Sequence, residues 1–359
     1  VHVAIDGREL LGRPTGVGRY LGHLLRVWSA DPGFPHRLSI VTPSTAPESL
    51  RALAPRASWH PAPARSAGTW WEQTRLPAAL RALRPDVFFA PAYTAPIRLP
   101  CPLVLVVHDV SYFAHPEWFG AREGFRRRWL TRASVSRAAR VLTVSEFSAA
   151  EIARWLPGAT GKIVVAHHGA PPAAPPAHRQ PEPVILYVGS LFARRHIPDL
   201  ISAFADVVTR VPAARLVLVG DDRGRPAVDP RRLAADAGHS AAVEWHAYVD
   251  DQTLDALYGT ARVFAFLSAY EGFALTPLEA IARGVPAVLL DTAVAREVYA
   301  DGAAYVPLDR AAIATALTEL LQDDAAHAAL AVKGQARLQA FSWARAAALA
   351  RQAVEDAAP

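Results

Sequence analysis

Residues 268–279 read Ser268-Ala269-Tyr270-Glu271-Gly272-Phe273-Ala274-Leu275-Thr276-Pro277-Leu278-Glu279. An apolar run, Val263 to Leu267, precedes them, and a helical pattern, Pro277 to Arg283 closed by Gly284, follows. Two carboxylates eight residues apart thus bracket a strand-to-helix turn. In an open parallel sheet, ligands bind outside the carboxyl ends of the strands, and this turn sits at such an end. Spacing alone gives Glu279 a structural duty: Thr276 as N-cap, Pro277 as first helical residue and Glu279 as third form a capping box. Glu271 has no capping duty. Gly272 beside it lets backbone N–H groups approach a ligand closely, and the helix start adds positive potential suited to a phosphate or polar sugar.

Around this turn the chain alternates strand-like and helix-like stretches. In the first half, Val3 to Asp6, Leu38 to Thr42, Val87 to Ala90, Leu103 to His108, Val141 to Val144 and Ile163 to Ala166 are short apolar runs. Helical patterns such as Tyr20 to Trp28 and Trp71 to Leu83 lie between them. Such alternation predicts a largely parallel sheet covered by helices on both faces. Residues 171–183, Pro-Pro-Ala-Ala-Pro-Pro-Ala-His-Arg-Gln-Pro-Glu-Pro, can neither continue a helix nor pair within a sheet, and read as a semi-rigid linker. The alternation then restarts, with strands at Val184 to Gly189, Leu216 to Gly220, Val263 to Leu267 and Ala287 to Asp291. Helices are expected at Pro198 to Val211 and Leu254 to Tyr258, and a last helical region runs from Ala311 to about Ala357. It breaks near Phe341-Ser342, where Ser342 is a suitable N-cap. The expected organisation is an α/β chain of two Rossmann-like domains, 1–170 and 184–340, facing across a cleft, with 341–359 as a C-terminal helix.

The 359 residues allow two domains of ordinary size, and 52% apolar with 20% charged residues is an ordinary globular balance. One cysteine, Cys101, excludes an internal disulfide framework and a Cys-rich metal site, and fits a reducing, cytoplasmic setting. No stretch of eighteen apolar residues exists to span a membrane. The opening Val1-His2-Val3-Ala4-Ile5-Asp6 reads directly as a strand rather than as a signal peptide. A net charge of +5 favours anionic partners.

Four further features bear on chemistry. Arg194 and Arg195, five and six residues after Gly189, lie between a strand and a helix, where two guanidinium groups suit a diphosphate. Pro14-Thr15-Gly16-Val17-Gly18-Arg19-Tyr20 is a Gly-rich turn at a helix start, not a dinucleotide fingerprint, because the next glycine, Gly22, is out of register. His108 closes the most apolar strand of the first half, where its imidazole can donate to a substrate oxygen. The segment Arg122 to Arg140 is a basic amphipathic helix carrying Phe125, Trp129 and Ala133 at i, i+4 spacing. It reads first as a solvated face over a buried stripe. The alternative is peripheral association with an anionic inner-membrane surface through Arg126, Arg127 and Arg128. No Asp-x-Asp pair is present to hold a divalent ion on a nucleotide diphosphate, and His167-His168 point to opposite sides of a strand. No metal is therefore expected. The aromatic residues are not interleaved with the basic cluster in an RNA-binding pattern, which argues against nucleic acid.

Taken together these pieces resemble the glycosyltransferases of family 4, retaining enzymes with the GT-B fold. Glu271-Gly272-Phe273-Ala274-Leu275-Thr276-Pro277-Leu278-Glu279 matches the family's Glu-x7-Glu signature. Val188-Gly189-Ser190-Leu191-Phe192-Ala193-Arg194-Arg195-His196 is similar to its Val-Gly-Thr-Leu-x-Pro-Arg-Lys-Asn segment. Gly16-Val17-Gly18-Arg19-Tyr20, Trp71-Glu72-Gln73, His108-Asp109-Val110, His115-Pro116-Glu117-Trp118 and Val144-Ser145-Glu146-Phe147-Ser148 resemble the subgroup that builds bacterial surface polysaccharides, many of them mannosyltransferases.

The resemblance implies roles. Glu279 would hold the ribose hydroxyls of a nucleotide and Glu271 those of the transferred sugar, assisted by the turn Gly272, Phe273, Ala274 and Leu275. Arg195 stands where the family's lysine neutralises the leaving diphosphate, with Arg194 and Gly189 beside it. Gly16 would approach the phosphates from the first domain, His108 would lie over the sugar, and the last helix, 341–359, would cross back to pack on the first domain. The implied catalytic set is His108, Glu271 and Arg195. The implied co-substrate is a nucleotide diphosphate sugar, GDP-mannose by subgroup, with a glycan, glycolipid or small-molecule acceptor and no cofactor. The competing readings are a soluble disaccharide synthase or phosphorylase-like GT-B enzyme, and a catalytically silent GT-B scaffold. Ala274 replaces the family's second glycine of the turn, and Arg195 its lysine.

Overall fold

The computed structural model describes residues 1–12, 15–173, 182–224 and 227–359. Pro14 of the Gly-rich turn and residues 174–181 of the expected linker lie outside the described residues. The chain divides into two compact units, Val1–Gly169 with Ser342–Pro359, and Ala170–Phe341.

The first unit holds seven parallel strands: β1 His2–Asp6, β2 Arg37–Thr42, β3 Ser58–Pro61, β4 Val87–Ala90, β5 Leu103–Val106, β6 Ala138–Thr143 and β7 Ile163–Val165, in the order β3-β2-β1-β4-β5-β6-β7. The second holds six: β8 Val184–Val188, β9 Arg215–Val219, β10 Val243–His246, β11 Val263–Phe266, β12 Ala287–Leu290 and β13 Ala304–Val306, in the order β10-β9-β8-β11-β12-β13. β1, β4, β5, β8, β11 and β12 are buried along their whole length, as expected when helices cover both faces. Both sheets reverse direction of growth once, between β1 and β4 and between β8 and β11. Diverging loops there open the crevice in which doubly wound folds bind ligands.

Three strands escape the sequence reading: β3, β10 and β13. All are sheet edges. β3 and β10 carry the polar runs Ser-Trp-His-Pro and Val-Glu-Trp-His, because an edge strand is never enclosed on all sides. The last helical region breaks twice rather than once. Asp323 caps Asp324–Leu338, accepting from Ala325 and Ala326, and Ser342 caps Trp343–Ala357, accepting from Arg345 at 3.4 Å. That last helix belongs to the first unit, where Trp28 Nε1 donates to the Ala347 carbonyl at 3.0 Å.

Two local expectations fail. The helix after residue 271 begins at Leu275, not Pro277, with Ala274 as its N-cap and no side-chain cap bond. Thr276 and Glu279 therefore do not form a capping box. The basic helix, Ala121–Arg137, buries Gly124, Leu130, Thr131, Ser134 and Val135. Phe125 and Trp129 are 68% and 52% exposed. The small residues let this helix lie close to the sheet, and the aromatic stripe faces outward.

Candidate active site

In the second unit the loops leaving β8 and β11 flank the switch point and carry the arginines and the first carboxylate. The Arg195 Nε–H donates to Glu271 Oε1 at 3.0 Å, and Ser268 Oγ donates to the same oxygen at 2.9 Å. Arg195 Nη1 donates to the Ser190 carbonyl at 2.9 Å and lies 3.5 Å from the Tyr187 hydroxyl. Its guanidinium packs on Phe266 and Phe192, 5.1 and 5.5 Å from the ring centroids. Burial would raise the Glu271 carboxyl, but the Arg195 and Arg194 charges and the bonds from Arg195 and Ser268 outweigh it and hold it below the usual carboxylate range. Arg195 is pushed upward in turn: burial opposes its charge, and Glu271 and Tyr187 more than compensate. The site is thus a charged, desolvated pair at neutral pH.

Gly189 makes the pair geometrically feasible. Its φ is +150°, and a Cβ there would sit 2.4 Å from Arg195 Nη1. Beside it, Arg194 Nε is buried with no hydrogen-bond acceptor among the described residues, 3.8 Å from Glu271 Oε1. The Arg194 guanidinium lies 4.4 Å over Phe192. A buried donor left unsatisfied is costly, and an anionic ligand oxygen is what would satisfy it.

The turn 272–275 completes this edge. Gly272 and Phe273 are buried, and Ala274 has φ +65°, ψ +99°, a region that L-residues other than glycine occupy at a cost. The Tyr299 hydroxyl donates to the Ala274 carbonyl and fixes the turn. A small cleft opens here, lined by Ser268, Glu271, Phe273, Ala274, Thr292 and Tyr299. Helix caps point to the same place. Asp229, Asp250, Thr292, Asp309 and Asp323 cap helices of this unit with their side chains. Among its described α-helices, Ile197–Arg210 and Leu275–Ala282 lack a side-chain cap. They are the helices that follow the Arg195 and Glu271 loops, so their first-turn N–H groups are left for another acceptor. Glu279 lies one turn into the second, where the Tyr258 hydroxyl donates to its Oε2 at 3.3 Å.

In the first unit, the two glycines of the Gly-rich turn separate clearly. A Cβ on Gly18 would sit 2.3 Å from the Glu9 carbonyl, so packing requires that glycine. A Cβ on Gly16 would meet nothing within 4 Å. Thr15 caps the helix Gly16–Ala30, accepting from Gly18 N at 3.0 Å. His108 is buried, with Nε2 2.8 Å from the Pro91 carbonyl. A carbonyl only accepts, so Nε2 carries the proton. Burial lowers the ring's pKa, opposed by Pro91 and Asp109, and the neutral ring presents Nδ1 as an acceptor. Donation to a substrate oxygen, expected from its position in the sequence, therefore requires Nε2 to leave Pro91.

Several participants escape the sequence reading. Tyr187 and Ser268 brace Arg195 and Glu271, and the only sequence signal for Tyr187 is a hydroxyl inside an otherwise apolar strand. At the end of β1, Arg8 pairs with Asp6 at 3.1 Å and Glu72 at 2.5 Å, and Thr94 donates to Glu72 at 2.8 Å. Burial pushes the Asp6 carboxyl up to about 6 against the pull of Arg8. This network ties the segment after β1 to the helix Thr69–Leu83, and no spacing rule connects residues 8 and 72.

Residues 14–174 match the family described as Glycosyltransferase Family 4, and residues 173–337 match Glycosyl transferases group 1. The O-antigen chain mannosyltransferase B of Escherichia coli is 29% identical over 281 residues, 74% of this chain and 73% of that one. Sucrose-phosphate synthase from Thermosynechococcus elongatus superposes with a TM-score of 0.76 at 20% identity, over 98% of this chain and 96% of that one. Anabaena HepE in complex with UDP-glucose gives 0.75 at 18% identity, over 99% and 98%.

Proposed function

The chain belongs to glycosyltransferase family 4 and has the GT-B fold, and from that premise we propose that it is a retaining hexosyltransferase. It moves a hexose, mannose from GDP-mannose first, to a hydroxyl of a glycan, glycolipid or small-molecule acceptor. The observation that carries this reading is the ionised Glu271, held by Arg195 and Ser268 at the switch point of the second sheet. Mannose as the sugar, and a surface glycan as the product, rest on the likeness to the O-antigen mannosyltransferase.

The chemistry follows from placement of charge. Breaking the bond between C1 of the sugar and the diphosphate oxygen gathers negative charge on the leaving group and oxocarbenium character on the sugar. Donors already aimed at that charge stabilise it more than they stabilise the ground state. Arg194, with its unsatisfied Nε–H, the remaining Nη2 edge of Arg195 and the uncapped amides of the two helices supply them. Glu271 accepts from the sugar hydroxyls, and Glu279, one turn into the following helix, accepts from the ribose. The acceptor oxygen attacks C1 on the face the diphosphate leaves, and its proton passes to the departing phosphate oxygen. No protein nucleophile and no metal enters the step.

The test is incubation with a panel of nucleotide sugars and measurement of nucleotide diphosphate release. GDP-mannose is expected to turn over fastest, and Glu271→Ala to abolish release. Equal turnover by that variant would overturn the assignment.

A further inference from the structure

Ala274 holds φ +65° and ψ +99°, and no side chain caps the helix Leu275–Ala282 that follows it. Backbone in such a region persists only where its surroundings impose it. The imposing contacts come from behind the turn, from the helix Asp324–Leu338. Two glycines permit its close approach. A Cβ on Gly334 would sit 2.9 Å from Ile281 Cγ2, on the helix that the turn starts, and a Cβ on Gly302 would sit 3.0 Å from Gly334 Cα. About one turn beyond Gly334, Arg337 reaches the end of the helix Ala293–Tyr299. Its Nε donates to the Val298 carbonyl at 2.8 Å and its Nη2 to the Glu297 carbonyl at 2.7 Å. Carbonyls of a last helical turn have no partner within the helix, and a cation there also meets the negative end of the helix dipole.

From Arg337 two routes of contact converge on neighbouring residues of the turn. Through Glu297 and Val298 it fixes the end of their helix, where the buried Tyr299 donates its hydroxyl to the Ala274 carbonyl. Its guanidinium also lies 4.9 Å over the Phe341 ring, and Phe341 meets Phe273 edge to face, with centroids 5.2 Å apart at 86°. We infer that Arg337 is a positioning residue for the donor site. It clamps Phe273 and Ala274 from behind, and so sets where the N–H groups of the turn and of the uncapped helix start point. This role rests on the proposed duty of residues 272–275 in holding the transferred sugar. Capping alone would confine the effect of Arg337 to the helix Ala293–Tyr299. The contacts through Tyr299 and Phe341 carry it to the turn.

The test is hydrogen–deuterium exchange of the ligand-free full chain, with wild type compared with Arg337→Ala, Arg337→Lys, Tyr299→Phe and Phe341→Leu. In Arg337→Ala the amides within 272–279 are expected to exchange roughly tenfold faster, as for loss of one charge-assisted hydrogen bond. The strands Val184–Val188 and Arg215–Val219 should exchange as in wild type. Lysine keeps the charge without the planar fork and should restore part of the protection. Tyr299→Phe and Phe341→Leu each cut one route while Arg337 keeps its carbonyls, and each should speed 272–279. Faster exchange confined to 293–302 in Arg337→Ala would overturn the inference. Should that variant loosen the whole second unit, the two single-route variants decide, and unchanged exchange of 272–279 in both would overturn it. With a nucleotide sugar that wild type turns over, Arg337→Ala should raise donor KM roughly tenfold and change kcat less, as for lost holding of the donor. An unchanged KM would overturn the donor role. Absence of turnover by wild type would sink the function proposed above, and the exchange measurement would still decide whether Arg337 sets the turn.

Discussion

Arg195 and Glu271, separated by 76 positions in the chain, meet at 3.0 Å with both side chains only 13% exposed. Removing one member of such a pair strands the other charge, at a cost of about 3 kcal/mol. Arg195→Ala should therefore lower both stability and donor turnover, the latter roughly 100- to 1,000-fold. Arg195→Lys keeps the charge but not the fork that spans Glu271 and the Ser190 carbonyl, and should retain activity to within roughly tenfold. Nucleotide diphosphate release and urea denaturation, measured on both variants, check this.

The same pair sets a pH window. The Glu271 carboxyl titrates below its ordinary value of 4.5 in the folded protein, so its contribution is present above that value. It is lost as pH falls through the folded value. The stability difference between wild type and Glu271→Gln should be constant above pH 4.5 and shrink as pH falls below it. Denaturation midpoints across an acid series measure it.

Ala274 sits at φ +65° and ψ +99°. Ala274→Gly relieves backbone strain of about 1–3 kcal/mol and gives back roughly 0.4–1 kcal/mol in unfolded-chain entropy. A net stabilisation of about 1 kcal/mol is expected, and Ala274→Val should destabilise. Thermal midpoints of the two variants decide the sign.

Two glycines should respond in opposite ways. Gly189→Ala drives a Cβ to 2.4 Å from Arg195 Nη1 and should cost roughly 1–3 kcal/mol along with most activity. Gly16→Ala meets nothing within 4 Å and should leave stability within about 0.5 kcal/mol of wild type. A rise in donor KM for Gly16→Ala at unchanged stability would mark close approach of a ligand. An unchanged KM would remove Gly16 from the donor site.

Burial patterns made most of the architecture readable before any coordinates. The central strands are enclosed on both faces, so they appear as unbroken apolar runs such as Val184–Val188 and Val263–Phe266. The edge strands β3, β10 and β13 carry no such constraint and leave no such signal. The turn 268–279 was legible as the link between a strand and a helix at a sheet edge, but its helix start was not. Thr276 and Pro277 satisfy the local rules for a helix start, yet the Tyr299 hydroxyl holds the Ala274 carbonyl and the helix begins at Leu275. Glu279 is thereby relieved of capping.

By itself the sequence determined two parallel-sheet halves, the turns at the carboxyl ends of their strands and the charges at 194, 195, 271 and 279. Those depend on periodicity and on residue type, which are local properties. Only the tertiary structure decided that Arg195 is braced by Tyr187, Ser190 and Glu271, that Gly18 is a packing glycine while Gly16 is not, and that Phe125 and Trp129 face outward. Each is a contact, or the absence of one, set by segments far apart in the chain. A helical stripe records that one face is apolar, and the packing of the rest of the chain decides whether that face meets the core or the solvent.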